Sequence, residues 1–527
     1  MRQIYKFLLS ALVICIPLSG IVSDDLFKQV SIDLEKKIKT VEFENGLRLI
    51  MVQRNESPTI AIYTKFLVGA VDETPEISGT AHLLEHMLFK GTPNVGTRDY
   101  AREKKYQDQI EVWGSRLDKL RLEEKSYKEK GILVPKDLSD KITAQSRRLR
   151  NLEKLQNEFI IKSEDSYIYE QNGEVGFNAY TSQDVTNYQI QLPSNRLEIW
   201  AKMESDRLKN PILREYYTER DVVIEERRMR TENSGAGLLR ERFMSVAMEA
   251  HPYRRPVIGY PSVIPFLDIF ETKEFFRKNY HSGNMVITIV GQLDFENTES
   301  IVRKYFSDLA RGEKRKEIKI SEIQSSGAKK VEVFYPAGES ILMGWRKPTI
   351  PHPDNSAFDM LDAILAKGST SRLYKRLVLD ANLCSEVNAS NGYPGERYTN
   401  IFLISMRNNQ GADTSEIESI VWEEIEKIAK DGVNPEEIQK VKNDAISDFF
   451  RYLDSNGSLA DSLGYYALVT GDWRNLFRIY DQMNSVTSLD LQRVASIYLK
   501  RDNVTIGYLK DPRLQAKNLK ENDKGKK

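Results

Sequence analysis

Two of the five histidines in this 527-residue chain, His82 and His86, lie four positions apart in Ala81-His82-Leu83-Leu84-Glu85-His86-Met87-Leu88-Phe89. On a helix that spacing stacks both imidazoles on one face, one turn apart, within reach of a single metal ion. Glu85 lies beside them, placed to take a proton from a water at that metal. The flanking aliphatic residues would bury the helix. Two imidazoles and a carboxylate buried without partners are costly, and a metal removes that cost. Two histidines, one carboxylate and a water make a catalytic zinc site with an open position, so a third ligand is needed. The best stretch for it is Glu219-Arg220-Asp221-Val222-Val223-Ile224-Glu225-Glu226, where Glu219 and Glu226 fall two turns apart on one face. Glu225 and Glu215 are also eligible. His251, His281 and His352 have no partner at helical spacing and read as structural or surface residues.

The elements around this helix alternate between strand and helix patterns. Asn45-Gly46 joins Thr40–Glu44 to Leu47–Val52 as a hairpin, and Thr59–Val68 alternates as a further strand. Thr80 can cap the start of the histidine helix and Gly91 its end. Residues 98–165 change character. Ile110, Trp113, Leu117 and Leu120, then Ile142, Leu149, Leu152 and Leu155, recur at helical spacing among Arg, Lys, Glu and Gln on either side of Gly131–Pro135. This predicts a charged antiparallel helical hairpin, read as a solvated insertion or partner-docking arm rather than a catalytic element. Strand patterning returns at Gly176–Thr181 and Thr186–Leu192. Helices follow at Arg196–Leu208, Thr218–Arg230 and Leu238–Met248, then a buried strand at Met285–Val290 and a helix at Asn297–Leu309.

Residues 312–329 are charged and poor in apolar side chains, which marks a linker between a first half, 30–311, and a second, 330–511. Past the linker the order begins again, with strand-like Lys330–Trp345 and a helix at Asn355–Ala366 ending in Lys367-Gly368-Ser369, which echoes Lys90-Gly91-Thr92. In that register Leu84 meets Leu361, Leu88 meets Leu365 and Glu85 meets Asp362, while His82 and His86 meet Asp359 and Ala363. The pattern suggests two related halves, of which only the first keeps metal-binding residues.

Lys plus Arg, 77, balances Asp plus Glu, 77, which gives no bulk charge for a nucleic-acid partner. Arg2 and Lys6, the apolar run Phe7–Ile16 and small residues ahead of Asp24-Asp25 read as a signal peptide over residues 1–23, with an uncleaved membrane anchor as the rival. Export to the periplasm is expected if the source has two membranes. Cys15 leaves with the signal, so Cys384 alone remains, which excludes a disulfide framework and a Cys-based zinc site. The Lys-rich end, 512–527, is expected to be a disordered tail.

His82-Leu83-Leu84-Glu85-His86 with a downstream Glu-Arg-x-x-Val-x-x-Glu resembles the inverted-motif zinc peptidases of the pitrilysin and insulinase family, most closely the branch of the mitochondrial processing peptidase and its bacterial relatives. The likeness also runs through Gly91-Thr92, Asn178-Ala179-Tyr180-Thr181 and the region from Gly368 to Leu373. It implies an α+β fold of two homologous halves, each an antiparallel sheet packed with helices, closing as a clamshell on a chamber. It implies zinc held by His82, His86 and Glu226, Glu85 as general base, Glu219 as a supporting acidic residue, and Asn178, Ala179, Tyr180 and Thr181 as the strand edge for the peptide. The activity implied is endopeptidase cleavage of short or unfolded peptides.

Two departures stand out. The stretch between His86 and Glu226 is about twice the length usual in this motif class, and the hairpin accounts for the surplus. Family members that act alone also carry in the second half an Arg followed seven residues later by a Tyr, both contacting substrate. Here those positions hold Val378 and Ser385. The expectation is therefore a zinc-bearing subunit working with a related chain that supplies the Arg/Tyr pair. A homodimer, or Arg376 or Arg397 with Tyr393 or Tyr398 as shifted substitutes, is the alternative. The rival from another class is a catalytically silent peptide-binding or assembly subunit.

Overall fold

The computed structural model describes residues 24–323 and 327–514. The signal segment, 1–23, and residues 515–527 of the expected tail lie outside the described residues. The first half includes α1 (Asp24–Glu35), β1 (Ile38–Glu42), β2 (Arg48–Gln53), β3 (Thr59–Phe66), α2 (Thr80–Met87), α3 (Tyr100–Glu129), α4 (Lys136–Asn157), β4 (Val175–Thr181), β5 (Thr186–Pro193), α5 (Leu197–Lys209), α6 (Tyr216–Arg227), α7 (Gly235–Ala247), β6 (Met285–Gly291) and α8 (Phe295–Phe306), with two further helices at Glu164–Glu170 and Ile269–Asn279. The second half runs β7 (Lys329–Phe334), β8 (Ser340–Lys347), α9 (Asn355–Ala366), β9 (Cys384–Tyr393), β10 (Asn400–Asn408), α10 (Thr414–Asp431), α11 (Pro435–Asp454), α12 (Asn456–Val469), α13 (Asn475–Ser485), α14 (Ser488–Tyr498) and β11 (Val504–Lys510). Lys330–Trp345, read as one strand-like stretch, divides into β7 and β8. Pro336, with its fixed φ and no N–H to donate, lies in the break between them.

The repeat is plain in the topology. The first sheet has the order β1-β2-β6-β3-β5-β4 and the second β7-β11-β8-β10-β9. Leaving out β1, each strand of one sheet has its counterpart in the other. The correspondence extends to the single parallel pairing, β2 with β6 and β7 with β11. The histidine helix α2 follows β3 as α9 follows β8.

The cores, however, are shared across the linker. Strands β2, β3 and β6 are buried along most of their length, so both faces of the sheet must be covered. Leu49, Met51, Ile60, Ile62, Ile287 and Ile289 turn to one face, against Leu83, Leu84 and Met87 of α2. Their neighbours Ile50, Val52, Ala61, Tyr63, Val286 and Val290 turn to the other, where the cover is Leu459, Ala460, Leu463 and Ala467 of α12, from the second half. The exchange is reciprocal. Leu342, Ile401 and Leu403 of the second sheet pack against Leu239, Phe243, Met244 and Ala247 of α7, from the first half. Polar contacts follow the same crossing. Lys65, buried on β3, donates to Asp461 of α12 at 2.6 Å and to the Tyr180 hydroxyl at 2.7 Å.

Because Phe243 fills a core built by both halves, Phe243→Ala should destabilise the protein by about 3–5 kcal/mol. Urea unfolding followed by tryptophan fluorescence should still show one transition for both halves. Two separated transitions would mean that the halves fold on independent cores.

Candidate metal centre and peptide cavity

Helix α2 begins where Gly79 takes φ +100, a backbone conformation that L side chains rarely adopt. A Cβ there would also meet the Ile258 carbonyl oxygen at 2.8 Å. Thr80, expected as the cap, is instead the first helical residue, and its hydroxyl donates to the Ile77 carbonyl at 2.7 Å. The free amides at the helix start go to Glu73, whose two carboxylate oxygens accept from the N–H groups of Gly79 and Ala81 at 2.8 Å each. Burial pushes the Glu73 carboxyl up to about 8, against those two donors and the nearby Arg255 guanidinium. At its far end α2 passes into a 3₁₀ turn, Leu88–Lys90, closed by Gly91 at φ +87.

The structure brings His82 and His86 together with Glu226 of α6. Their imidazole centroids are 4.9 Å apart, and the Nε2 atoms of His82 and His86 stand 3.7 and 3.5 Å from Glu226 Oε2. One ligand atom from each residue falls within 4.8 Å of the others. Atoms bound to one tetrahedral zinc at about 2.0–2.2 Å are about 3.3–3.6 Å apart, close to the two spacings to Glu226 found here. Glu226 Oε2 and His82 Nδ1 are buried without a hydrogen-bond partner, while Glu226 Oε1 is held by Arg230 at 2.6 Å. Two nitrogens and an unpaired carboxylate oxygen converging on one point are a donor set that suits zinc. Glu225 pairs instead with Arg228 on the exposed side, and Glu215 with Lys90 and Lys162, so neither joins the set.

Glu219 lies behind His86, its Oε2 3.3 Å from Nδ1 and its Oε1 paired with Lys90. Burial works to lower the His86 pKa, but the Glu219 and Glu226 carboxylates outweigh it and lift it to about 9. His82, more deeply buried and close to the His86 charge, is lowered to about 4, despite Glu226. Burial also raises the Glu85 carboxyl, opposed by the Thr181 hydroxyl and His86.

Glu85, His82, His86 and Glu226 open on a cavity of about 810 Å³ whose wall includes Asn178 to Thr181. These four residues end β4, the outermost strand of its sheet, so its far edge has no strand partner among the described residues. Asn178 is exposed, whereas the Tyr180 hydroxyl is engaged by Lys65 and Asp461. Tyr180 therefore offers the cavity its backbone more than its phenol.

Of the four shifted substitutes, Tyr393 alone lines this cavity. Arg397 donates to both oxygens of Asp72 in the first half, at 2.8 and 2.9 Å. The Tyr398 hydroxyl accepts from the Ile318 amide at 3.3 Å, and Arg376 pairs with Glu423 and Glu424 on α10. Val378 packs against the core of the second half, and the Ser385 hydroxyl donates to the Arg407 carbonyl. Sequence reading missed Glu73, Lys90 and Arg230. Lys90 follows His86, and Arg230 follows Glu226, by four residues, a spacing that could have flagged both. Glu73 gives no such signal.

A sequence profile of the Insulinase (Peptidase family M16) family matches residues 49–109 and 164–260, and the Peptidase M16 inactive domain profile matches 271–444. A zinc protease of Helicobacter pylori, PqqE, is 25% identical over 482 residues, covering 90% of this chain and 93% of that one. The mitochondrial-processing peptidase subunit beta of Lentinula edodes is 21% identical, covering 86% of each. Among solved structures, a protease from Helicobacter pylori superposes with a TM-score of 0.73 at 25% identity, covering 90% of this chain and 99% of that one. The periplasmic protease PqqL from Escherichia coli gives 0.66 at 15% identity, over 92% of this chain and 48% of its own.

Replacing Glu73 by Gln keeps one acceptor for the start of α2 and turns an NH₂ group toward the other amide. Glu73→Gln should therefore lower stability by about 1–3 kcal/mol. Urea unfolding of the metal-free chain measures this, and hydrogen exchange at the Ala81 amide should quicken. An unchanged midpoint and exchange rate would show that the carboxylate is not what holds the helix start.

Proposed function

The chain belongs to the insulinase family, peptidase family M16, and on that premise we propose that it is a zinc-dependent endopeptidase of short or unfolded peptides, working as the zinc-bearing subunit of a two-chain enzyme. The observation that carries this reading is the convergence of His82, His86 and Glu226 on one point, with Glu85 and a free strand edge facing the same cavity.

His82, His86 and Glu226 would hold the ion, which supplies carbonyl polarisation and acidification of a water. Glu85 takes the proton of the attacking water and passes it to the leaving amine. Burial raises its pKa, which strengthens it as the base that takes the water's proton. Glu219 fixes the His86 ring through Nδ1 and thereby sets the direction of its other nitrogen. The substrate adds as an extended strand beside Asn178–Thr181, so main-chain hydrogen bonds provide affinity with little demand on sequence.

The two-chain reading is supported by the commitments of the second half. Val378 and Ser385 occupy the positions of the expected Arg and Tyr, and Arg397, Tyr398 and Arg376 are engaged elsewhere. The partner is a related chain that brings the missing donors. Export through the N-terminal segment fits a relative described as a periplasmic protease. Among the described residues no helix is long and apolar enough to cross a membrane.

Two measurements test the proposal. The purified chain should carry zinc, and Glu85→Gln should retain it while losing about 10²–10⁴-fold in cleavage of an unstructured peptide. A chain without zinc, or a Glu85→Gln variant as active as the parent, would favour the silent peptide-binding subunit. Full turnover by the chain alone would remove the partner.

A further inference from the structure

From residue 110 onward the helical hairpin α3–α4 lies in the gap that the family profile leaves between residues 109 and 164, with Glu103 in the matched first turns of α3, yet the hairpin is fastened to the metal centre. Asp118 of α3 holds Arg220 of α6 by two hydrogen bonds, from Nη1 to Oδ2 at 2.7 Å and from Nη2 to Oδ1 at 3.0 Å, and both residues are at most 3% exposed. Two residues before α6, Arg214 donates from Nε to Glu103 of α3 at 2.7 Å. Its other two nitrogens donate to the carbonyls of Lys90, Thr92 and Val95, in the loop where α2 ends. Between these two clamps the helices touch with nothing to spare. A Cβ on Gly114 of α3 would lie 2.0 Å from the Tyr217 ring of α6.

Along α6, Glu219 and Glu226 share one face, while Arg220 points about 100° around the axis from Glu219. The face turned to the metal centre and the face turned to the hairpin are thus linked rigidly. A rotation of α6 that moved the Glu226 carboxylate would also break the paired hydrogen bonds to Asp118. A buried ion pair is weak evidence for stability, since apolar residues of similar volume often serve as well. What a bidentate guanidinium–carboxylate pair supplies is one permitted geometry. We propose that the hairpin sets the position of α6, and through Arg214 the exit of α2, so that Asp118 and Glu103 are positioning residues for the His82–His86–Glu226 set.

This inference rests on the zinc reading above, and its test separates the two. Zinc affinity is measured on the full chain by competition with a chromophoric chelator, beside the melting temperature of the metal-free chain. Asp118→Asn and Glu103→Gln should each weaken zinc binding about 10- to 100-fold, whereas Lys141→Ala, on the exposed side of α4, should leave it unchanged. A role confined to stability would lower the melting temperature and leave the affinity as it was, which would overturn the inference. Should Asp118→Asn fail to fold, the double variant Asp118→Asn/Arg220→Gln, which leaves no charge unpaired, decides. Weakened zinc binding in that variant supports the positioning role, and parental affinity overturns it. A parental chain that holds no zinc would overturn the site reading, and the positioning role with it.

Discussion

Both sheets of this protein are apolar on both faces, and neither half covers its own sheet completely. In the first sheet Ile60 and Ile62 are covered by the histidine helix, while Ala61 and Tyr63, which alternate with them, are covered by α12, from the far side of the linker. In the second sheet the open face is closed by α7 of the first half. Water would otherwise meet rows of Ile, Val and Leu, and the hydrophobic cost of exposing them fixes how the halves are joined. The repeat is therefore a pair of open units, each completed by the other. Residues 312–329 separate the halves in sequence but not in their cores. Even that segment is tied down, with Glu322 accepting from the amides of Glu249, Ala250 and His251.

This exchange places the polar groups near the candidate site. The loop between β9 and β10 reaches the first half, where Asp184 accepts from the Glu396 and Arg397 amides and from the Tyr253 hydroxyl. Arg397 closes on Asp72, next in sequence to the Glu73 that caps the histidine helix. The geometry of α2 is thus set from two sides, by its own sheet below and by a contact from the second half at its start. The corresponding helix of the second half, α9, carries Asp359 and Ala363 where α2 has histidines. Asp359 accepts from Asn391 of β9 at 2.7 Å. The repeat has kept a polar contact between this helix and its edge strand while the donor set suited to a metal is found in one half.

Local pattern made much of this legible in the sequence. The four-residue histidine spacing, the seven-residue interval between Glu219 and Glu226, the alternation of β3 and the breaks at Gly and Pro are all short-range signals. They led to α2, α6 and the strands of the first half to within a few residues, and to two histidines with four eligible carboxylates, among which the family resemblance singled out Glu226. Contacts between distant segments left no such trace. Glu73 caps a helix from a loop seven residues before it, with no motif to announce it. Asp118 and Arg220 look like any other charges on helical faces, and the hairpin that carries Asp118 read as solvated because most of its residues are charged or polar. Arg397 and Tyr398 satisfied a residue-type criterion for substrate contact, and three-dimensional placement alone shows where their side chains are engaged.

The last point bears on how labour is divided. A guanidinium that contacts substrate must be free to exchange water for a peptide carbonyl. Arg397 is 3% exposed in its side chain and holds both oxygens of a carboxylate that is itself buried. Withdrawing it would break this bidentate pair and leave the buried Asp72 carboxylate with Arg315 and the Gly69 amide alone, a cost that one substrate hydrogen bond offsets only in part. Tyr393 faces the cavity but has no arginine from the second half beside it among the cavity's lining residues. On the proposed reading the second half has exchanged a share in substrate binding for a share in structure. Its helix α12 closes the first sheet and its Arg397 steadies the loop that precedes α2. What it no longer offers the peptide must then come from a second chain.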